Sequence, residues 1–383
     1  MSRRQPAAAC LRRRHLLACV GGLAVTAGLS PARAQPAAVP TAVPAEAPAA
    51  FIARQFNQAD IVLLAEDHGV RQNLAFLKAL IPTLHAAGVR SIAMEFGGVE
   101  EQEELDRLVT GPTHDRTLAR QLMHRYDSGW PLRDYWDLYH AAWTFNRTLG
   151  PGAKPFRIII SYRLAWETLE GPLTIPAARR VFHRGPLDAF RARVLEQEVL
   201  ARGEKTLGFV GWQHAVTRFE PPMLDIHAAD FVRRENRNLG RLLHASHPGR
   251  VRCVVLHTPF PAGDGLGLVQ PAGGALERAF AVHGAPCAFD LGGPAGRWPD
   301  ASAHAAGNPE FVMGDLADGY IVLDRLARLE GCDLDTEFVT PQTFADARRR
   351  IPRELRRQPA TLEEYWASAR AFVDIGARYR EVA

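Results

Sequence analysis

Apolar residues run unbroken through Ile61-Val62-Leu63-Leu64-Ala65, the pattern of a strand buried on both faces. The period then changes. Leu74, Leu77, Leu80, Ile81 and Leu84 recur at helical spacing over residues 72–87, and Gly88 stands where a helix closes in a left-handed residue. Ser91-Ile92-Ala93-Met94 returns to strand, so residues 61–96 predict a strand–helix–strand crossover. Short strands are also predicted at Phe156–Ile160, Thr206–Val210, Val251–Leu256 and Tyr320–Leu323, with an amphipathic helix over Asp188–Arg202 stopped at Gly203. This rhythm predicts an α/β domain over residues 51–383, with a mostly parallel central sheet flanked by helices.

Two stretches break the rhythm. Residues 100–150 predict a helical insertion. Its acidic start, Glu100 to Asp106, suits a helix N-terminus. Pro131 opens a helix whose stripe Leu132, Tyr135, Trp136, Tyr139, Trp143 is either core packing or an aromatic wall over a pocket. Residues 258–318, rich in Gly, Pro and Ala, predict long loops or a second lid. Beyond Asp333 the pattern is helical again, with Thr361 and Glu364 capping Leu362–Val373.

The first 34 residues are an address rather than a fold. Arg12-Arg13-Arg14 precede an apolar run from Leu16 to Leu29, and Pro31-Ala32-Arg33-Ala34 supplies a small-residue cleavage site. The arginine cluster resembles a twin-arginine export signal, which predicts a periplasmic or secreted protein with no transmembrane segment after signal removal. Residues 35–50 (QPAAVPTAVPAEAPAA) predict a Pro/Ala linker. The address also explains the charge. Six arginines and no acid lie in residues 1–34, so the net charge of +4 becomes −2 without them. A near-neutral body gives no electrostatic case for nucleic acid. Of the five cysteines, Cys253, Cys287 and Cys332 remain, with no C-x-x-C pair. One disulfide is open to them in an oxidising compartment, although Cys253 sits inside an apolar strand.

Candidate chemistry gathers at the carboxyl ends of the predicted strands, where ligands bind in parallel α/β sheets. Glu66, Asp67 and His68 follow the first strand, and Glu95 the second. Tyr162 and Arg163 follow the third, Gln213 and His214 the fourth, and His257 the fifth. Alternation puts Glu66 and His68 on one side if the chain stays extended. If the first two strands are neighbours, Glu66 and Glu95 crowd each other, sharing a proton or holding a cation. Gly211 offers a tight turn before His214. Glu66, His68, Glu95 and His214 are therefore candidate acid–base groups or metal ligands. Tyr162 and Arg163 are candidate cofactor- or anion-binding residues. His257 and His227 read as structural. There is no nucleophile elbow, no phosphate-binding loop and no H-E-x-x-H.

The segments IVLLAEDHG (61–69), IAMEFG (92–97) and FVGWQHA (209–215) resemble the superfamily that joins the haem-binding uptake ChaN-like proteins, the Tiki and TraB/GumN proteins and the erythromycin esterases. That superfamily carries a Glu-x-His strand end, a later Glu strand end and a G-x-x-H strand end, here at Glu66 with His68, Glu95, and Gly211 with His214. The resemblance covers roughly residues 60–215. It implies an α/β fold with a cleft above the sheet. It implies hydrolysis of peptides, esters or lactones in some branches, and haem binding in the ChaN-like branch. The chain departs from the pattern at Ala65, where a Gly is usual. It also has Asn73 and Leu74 where ChaN-like proteins place a second His, and it spaces its first Glu and His one residue closer than erythromycin esterases do.

These features together predict an exported hydrolase for a small-molecule or peptide substrate, either assisted by a divalent metal (Mn, Co or Zn) or using Glu and His directly. The alternative is a non-catalytic haem- or ligand-binding protein, with Tyr162, His68 or His214 as axial ligand.

Overall fold

The computed structural model describes residues 43–224, 232–352 and 358–383. The export segment, residues 35–42 and His227 lie outside them. Strands β1 (Ile61–Glu66), β2 (Ser91–Gly98), β3 (Arg157–Ser161), β4 (Thr206–Gly211), β5 (Val251–Leu256), β6 (Cys287–Asp290) and β7 (Gly319–Val322) form one sheet, in the order β6-β7-β5-β1-β4-β2-β3. All neighbours are parallel except the edge pair β6 and β7. The expected α/β class is observed.

Every residue of β1 is buried, because helices cover both faces of the sheet. Val62 and Leu64 face a core shared with α1 (Pro48–Gln55), α2 (Arg71–Ala86) and the helical insertion of α3 (Gln102–Thr110), α4 (Arg116–His124) and α5 (Arg133–Asn146). Ile61, Leu63 and Ala65 face a second core, built with α7 (Leu187–Glu198), α9 (Leu239–Ser246) and α10 (Ala275–His283). A short helix α6 (Ile175–Val181) lies between β3 and α7, and a single turn, α8 (Trp212–Ala215), follows β4 directly. Among the described residues, no helix is long and apolar enough to cross a membrane.

Four expectations change. First, β1 and β2 are not neighbours: β4 returns from more than a hundred residues away and inserts between them. Second, the chain is packed well before residue 50. Val43 is buried, Glu46 exchanges backbone hydrogen bonds with Ala288 on the edge strand β6, and α1 begins at Pro48. A Pro/Ala composition conceals this, because proline is also a good first helical residue. Third, the supposed loops of 258–318 contain α10 and β6, both too short for a clear period. Fourth, Cys253, Cys287 and Cys332 are all free and buried. Burial pushes their thiols up, that of Cys287 to about 11. In α5, Tyr135, Trp136 and Tyr139 are core residues, and Tyr135 also turns its hydroxyl to Glu66 at the end of β1.

Candidate active site

Alternation along β1 turns Glu66 toward the helical insertion, where the phenol of Tyr135 on α5 donates to both carboxylate oxygens, at 2.7 and 2.9 Å. Two residues on, His68 places Nδ1 2.7 Å from Glu66 Oε1. The imidazole then lies across the end of β4, and its Nε2 is 2.7 Å from Glu95 Oε1. The crossing depends on Gly211. A Cβ there would sit 3.2 Å from the His68 ring, while the backbone itself is ordinary (φ −54°). The glycine is needed for room rather than for a turn. Glu95 arrives on a stretch of β2 where pairing with β3 shifts register between Ala93 and Gly98, an irregularity of the kind that re-aims side chains near functional sites.

The second oxygen of Glu95 looks the other way. Oε2 lies 3.4 Å from Arg191 Nη1 and 3.5 Å from His214 Nε2. His214 is carried by α8 immediately beyond Gly211, and its Nδ1 lies 2.7 Å from Asp188 Oδ2. Asp188 occupies the first turn of α7, where it also accepts from Leu239 N at 3.1 Å and from Arg191 Nη1 at 3.0 Å. Arg191, one turn later, donates in addition to Ser161 Oγ and to the Glu95 carbonyl. The result is one continuous row: Tyr135, Glu66, His68, Glu95, His214, Asp188.

Burial by itself would discharge such groups, but the row is balanced internally. For His68, burial opposes the charge, yet Glu95 and Glu66 outweigh it and hold the imidazole well above its usual range. For Glu95, burial is again outweighed, here by His68, Arg191 and His214, and the carboxyl lies far below the usual range. Burial is outweighed at Asp188 too, by His214 and Arg191. At Glu66 burial dominates and raises the carboxyl. Burial and the neighbouring Glu66 keep Tyr135 a neutral phenol. Access is uneven. The side chains of Glu66 and Glu95 are 0 and 4 % exposed, but those of His68 and His214 are 20 and 28 % exposed. The carboxylates are the buried frame, and the imidazoles are what a ligand meets. Phe96 and Trp130 flank His68, with ring centroids at 5.4 and 5.3 Å.

Glu66, His68, Glu95 and His214, singled out in the sequence, are thus brought together. Tyr162 and Arg163 are not. The Tyr162 hydroxyl accepts from Arg184 N and donates to Gly185 O, both at 2.9 Å, which closes the loop between β3 and α7. Arg163 pairs with Glu167 and lies over the Tyr126 ring. His257 is enclosed, as expected of a structural residue. Sequence reasoning missed Asp188, Arg191 and Tyr135. Asp188 and Arg191 sit one helical turn apart on α7, a spacing that could have marked them as partners on one face.

The donor set does not fit a metal ion. Both His68 nitrogens are taken by the carboxylates that would be its fellow ligands, and Nδ1 of His214 is taken by Asp188. Among the described residues, no group of three or more His, Cys, Asp or Glu is arranged to hold a metal.

A parallel sheet with an acid–base row at its strand ends defines the class. Residues 52–150 match the family described as haem-binding uptake, Tiki superfamily, ChaN. The matched segment carries Glu66, His68, Glu95 and Tyr135. No curated protein matches the chain. Among solved structures, the chain is similar to an erythromycin esterase mutant in its open conformation (11% identity, 75% of this chain and 95% of that one, TM-score 0.49). It is similar to ChaN of Campylobacter jejuni with cofacially bound haem (15% identity, 55% and 86%, TM-score 0.33). It is similar as well to the C-terminal region of Pasteurella multocida toxin (12% identity, 56% and 25%, TM-score 0.36), of which it spans a quarter of the length.

Of the three expected axial haem ligands, Tyr162 has its oxygen bonded twice within the protein and His68 has both nitrogens engaged, whereas Nε2 of His214 lies 3.5 Å from the Glu95 carboxylate on a side chain 28 % exposed.

Proposed function

We propose that the chain is an exported hydrolase that opens an ester or peptide bond of a small-molecule or peptide substrate, with His214 as general base. The observation that carries the proposal is the Asp188–His214 pair facing a row that is already charged. Asp188 fixes the proton on Nδ1, so Nε2 of His214 presents its lone pair.

His214 Nε2 removes a proton from water as the water oxygen attacks the carbonyl carbon, and Asp188 stabilises the imidazolium that forms. The same proton then passes to the departing alkoxide or amine as the bond to it breaks. His68, bonded to both Glu66 and Glu95, fixes the Glu95 carboxylate beside Nε2 of His214. Export is supported by the Arg12–Ala34 pattern.

The test is a panel of esters, lactones and peptides given to residues 35–383 and to His214→Gln, with the melting temperature as a folding control. Turnover lost in the variant supports the proposal, and no turnover by the wild type overturns it. The family description favours a second possibility, haem binding. A stoichiometric Soret shift on haem titration, in a protein that turns nothing over, would replace the hydrolase with it.

A further inference from the structure

The residue between Glu66 and His68 is also acidic, and alternation sends Asp67 away from the row. Its carboxylate meets the far end of the chain. Arg378 Nη2 donates to Asp67 Oδ2 at 2.5 Å, and the Tyr379 hydroxyl donates to the same oxygen at 2.5 Å. Arg378 Nη1 donates to the backbone carbonyl of His68 itself, at 2.9 Å, and to Phe372 O at 3.2 Å. These residues belong to the carboxyl-terminal helices Leu362–Val373 and Ile375–Arg378 and the turn after them. The arginine is sandwiched as well as bonded, since its guanidinium lies over the rings of Phe372 and Tyr379.

The rest of the turn is pinned as tightly. Gly69 has φ +89°, and a Cβ there would stand 3.0 Å from the Phe372 ring, so both conformation and room call for glycine. Gly69 N donates to the Tyr135 hydroxyl, and Cys332 N donates to Gly69 O. Val70 is buried with Ile375, Tyr379 and Val382. The turn is therefore gripped by α5 on one side and the chain terminus on the other. An imidazole shared between two carboxylates at 2.7 Å needs such a grip, because both contacts fail if the backbone moves by a fraction of an ångström.

We propose that Arg378 and Tyr379 are positioning residues of the active site, holding the Asp67–Gly69 turn so that His68 bridges Glu66 and Glu95. The proposal rests on reading His68 as part of that site. It makes the last nine residues, 375–383, a component of the centre rather than an appendage.

The experiment compares Arg378→Gln, Arg378→Lys and Tyr379→Phe with the wild type at temperatures below each melting transition. Two readouts are taken: the titration of the His68 ring by nitrogen-15 NMR of histidine-labelled protein, and kcat and KM across pH. In Arg378→Gln the His68 titration should move down toward that of a free histidine. The alkaline limb of kcat should follow it, and kcat should fall about tenfold or more with KM little changed. Arg378→Lys, which keeps a cation but not the fork, should recover part of the effect. Tyr379→Phe should move both readouts the same way by less, and it stands in if the arginine variant does not fold. A lower melting temperature with an unmoved His68 titration would overturn the proposal and leave a structural staple. If the wild type turns over nothing tested, the hydrolase reading fails while the NMR titration still decides this one.

Discussion

Two neighbouring strands, β1 and β5, each end in a histidine that meets a carboxylate and a tyrosine, and only one of the two ends is a candidate for chemistry. After β5, His257 lies with Nδ1 3.1 Å from the Tyr320 hydroxyl and Nε2 3.2 Å from Glu277 Oε1. Leu326 N occupies the same Glu277 oxygen, and the His257 side chain is 2 % exposed. One imidazole, one carboxylate and one phenol satisfy each other and leave nothing for a ligand. After β1, one imidazole is shared by two carboxylates, a second imidazole and a third carboxylate continue the row, and both rings reach the surface. Residue types at a sheet edge do not separate the two ends. An excess of partners and access to solvent do.

The largest effect expected from this contrast is on turnover. His214→Gln should lower kcat/KM about a thousandfold with little change in melting temperature. His257→Gln should leave kcat/KM within about threefold. If the two variants lose activity equally, the contrast is void.

Stability should respond the other way round. His257→Ala leaves the buried Tyr320 hydroxyl and Glu277 short of a partner, and should cost about 2–3 kcal/mol in urea unfolding. A cost under about 0.5 kcal/mol would mean that His257 is not a bolt between strands.

The two ends should also differ in pH dependence. The raised His68 titration contributes stability that is fully present below its ordinary value of 6.5 and is lost as pH rises through the folded-state value. The depressed Glu95 contributes stability present above 4.5 and lost as pH falls below it. Wild type should therefore lose unfolding free energy from about pH 6.5 upward, His257→Gln should lose it equally, and His68→Gln should not. The same alkaline loss in His68→Gln would place its source elsewhere.

The smallest effect concerns a residue read from sequence as part of the site. Arg163 is occupied by Glu167 one turn away in a part-exposed pair. Arg163→Ala should change stability by less than about 0.5 kcal/mol and activity by less than about twofold. A large loss of activity would return Arg163 to the site.

What the sequence made legible was local. β1, α2 and β5 were readable because unbroken apolar runs and a 3.6 period have few other solutions. The four-residue strand β6 has no period to read. Glu66, His68, Glu95 and His214 were legible because polar residues ending apolar strands are anomalous, and because short motifs there resemble a known superfamily. The order of the sheet was not legible, since strand sequence does not encode that β4 returns between β1 and β2. That insertion is what turns two carboxylates expected to crowd each other into a pair bridged by His68 over Gly211. Asp188 and Arg191 were hidden as ordinary charges on an amphipathic helix, and Tyr135 as one member of an apolar stripe. In each case the signal was a contact between elements far apart in the chain.

The central claim is that Asp188 and His214 act as one unit on a carbonyl substrate. It is tested most directly by kcat/KM for Asp188→Asn, His214→Gln and the double variant on the best substrate of the panel. The account predicts that each single change costs most of the rate and that the double variant falls no further than His214→Gln alone, because groups acting as a unit are not additive. Losses that add, or a His214→Gln variant as active as wild type, would contradict it.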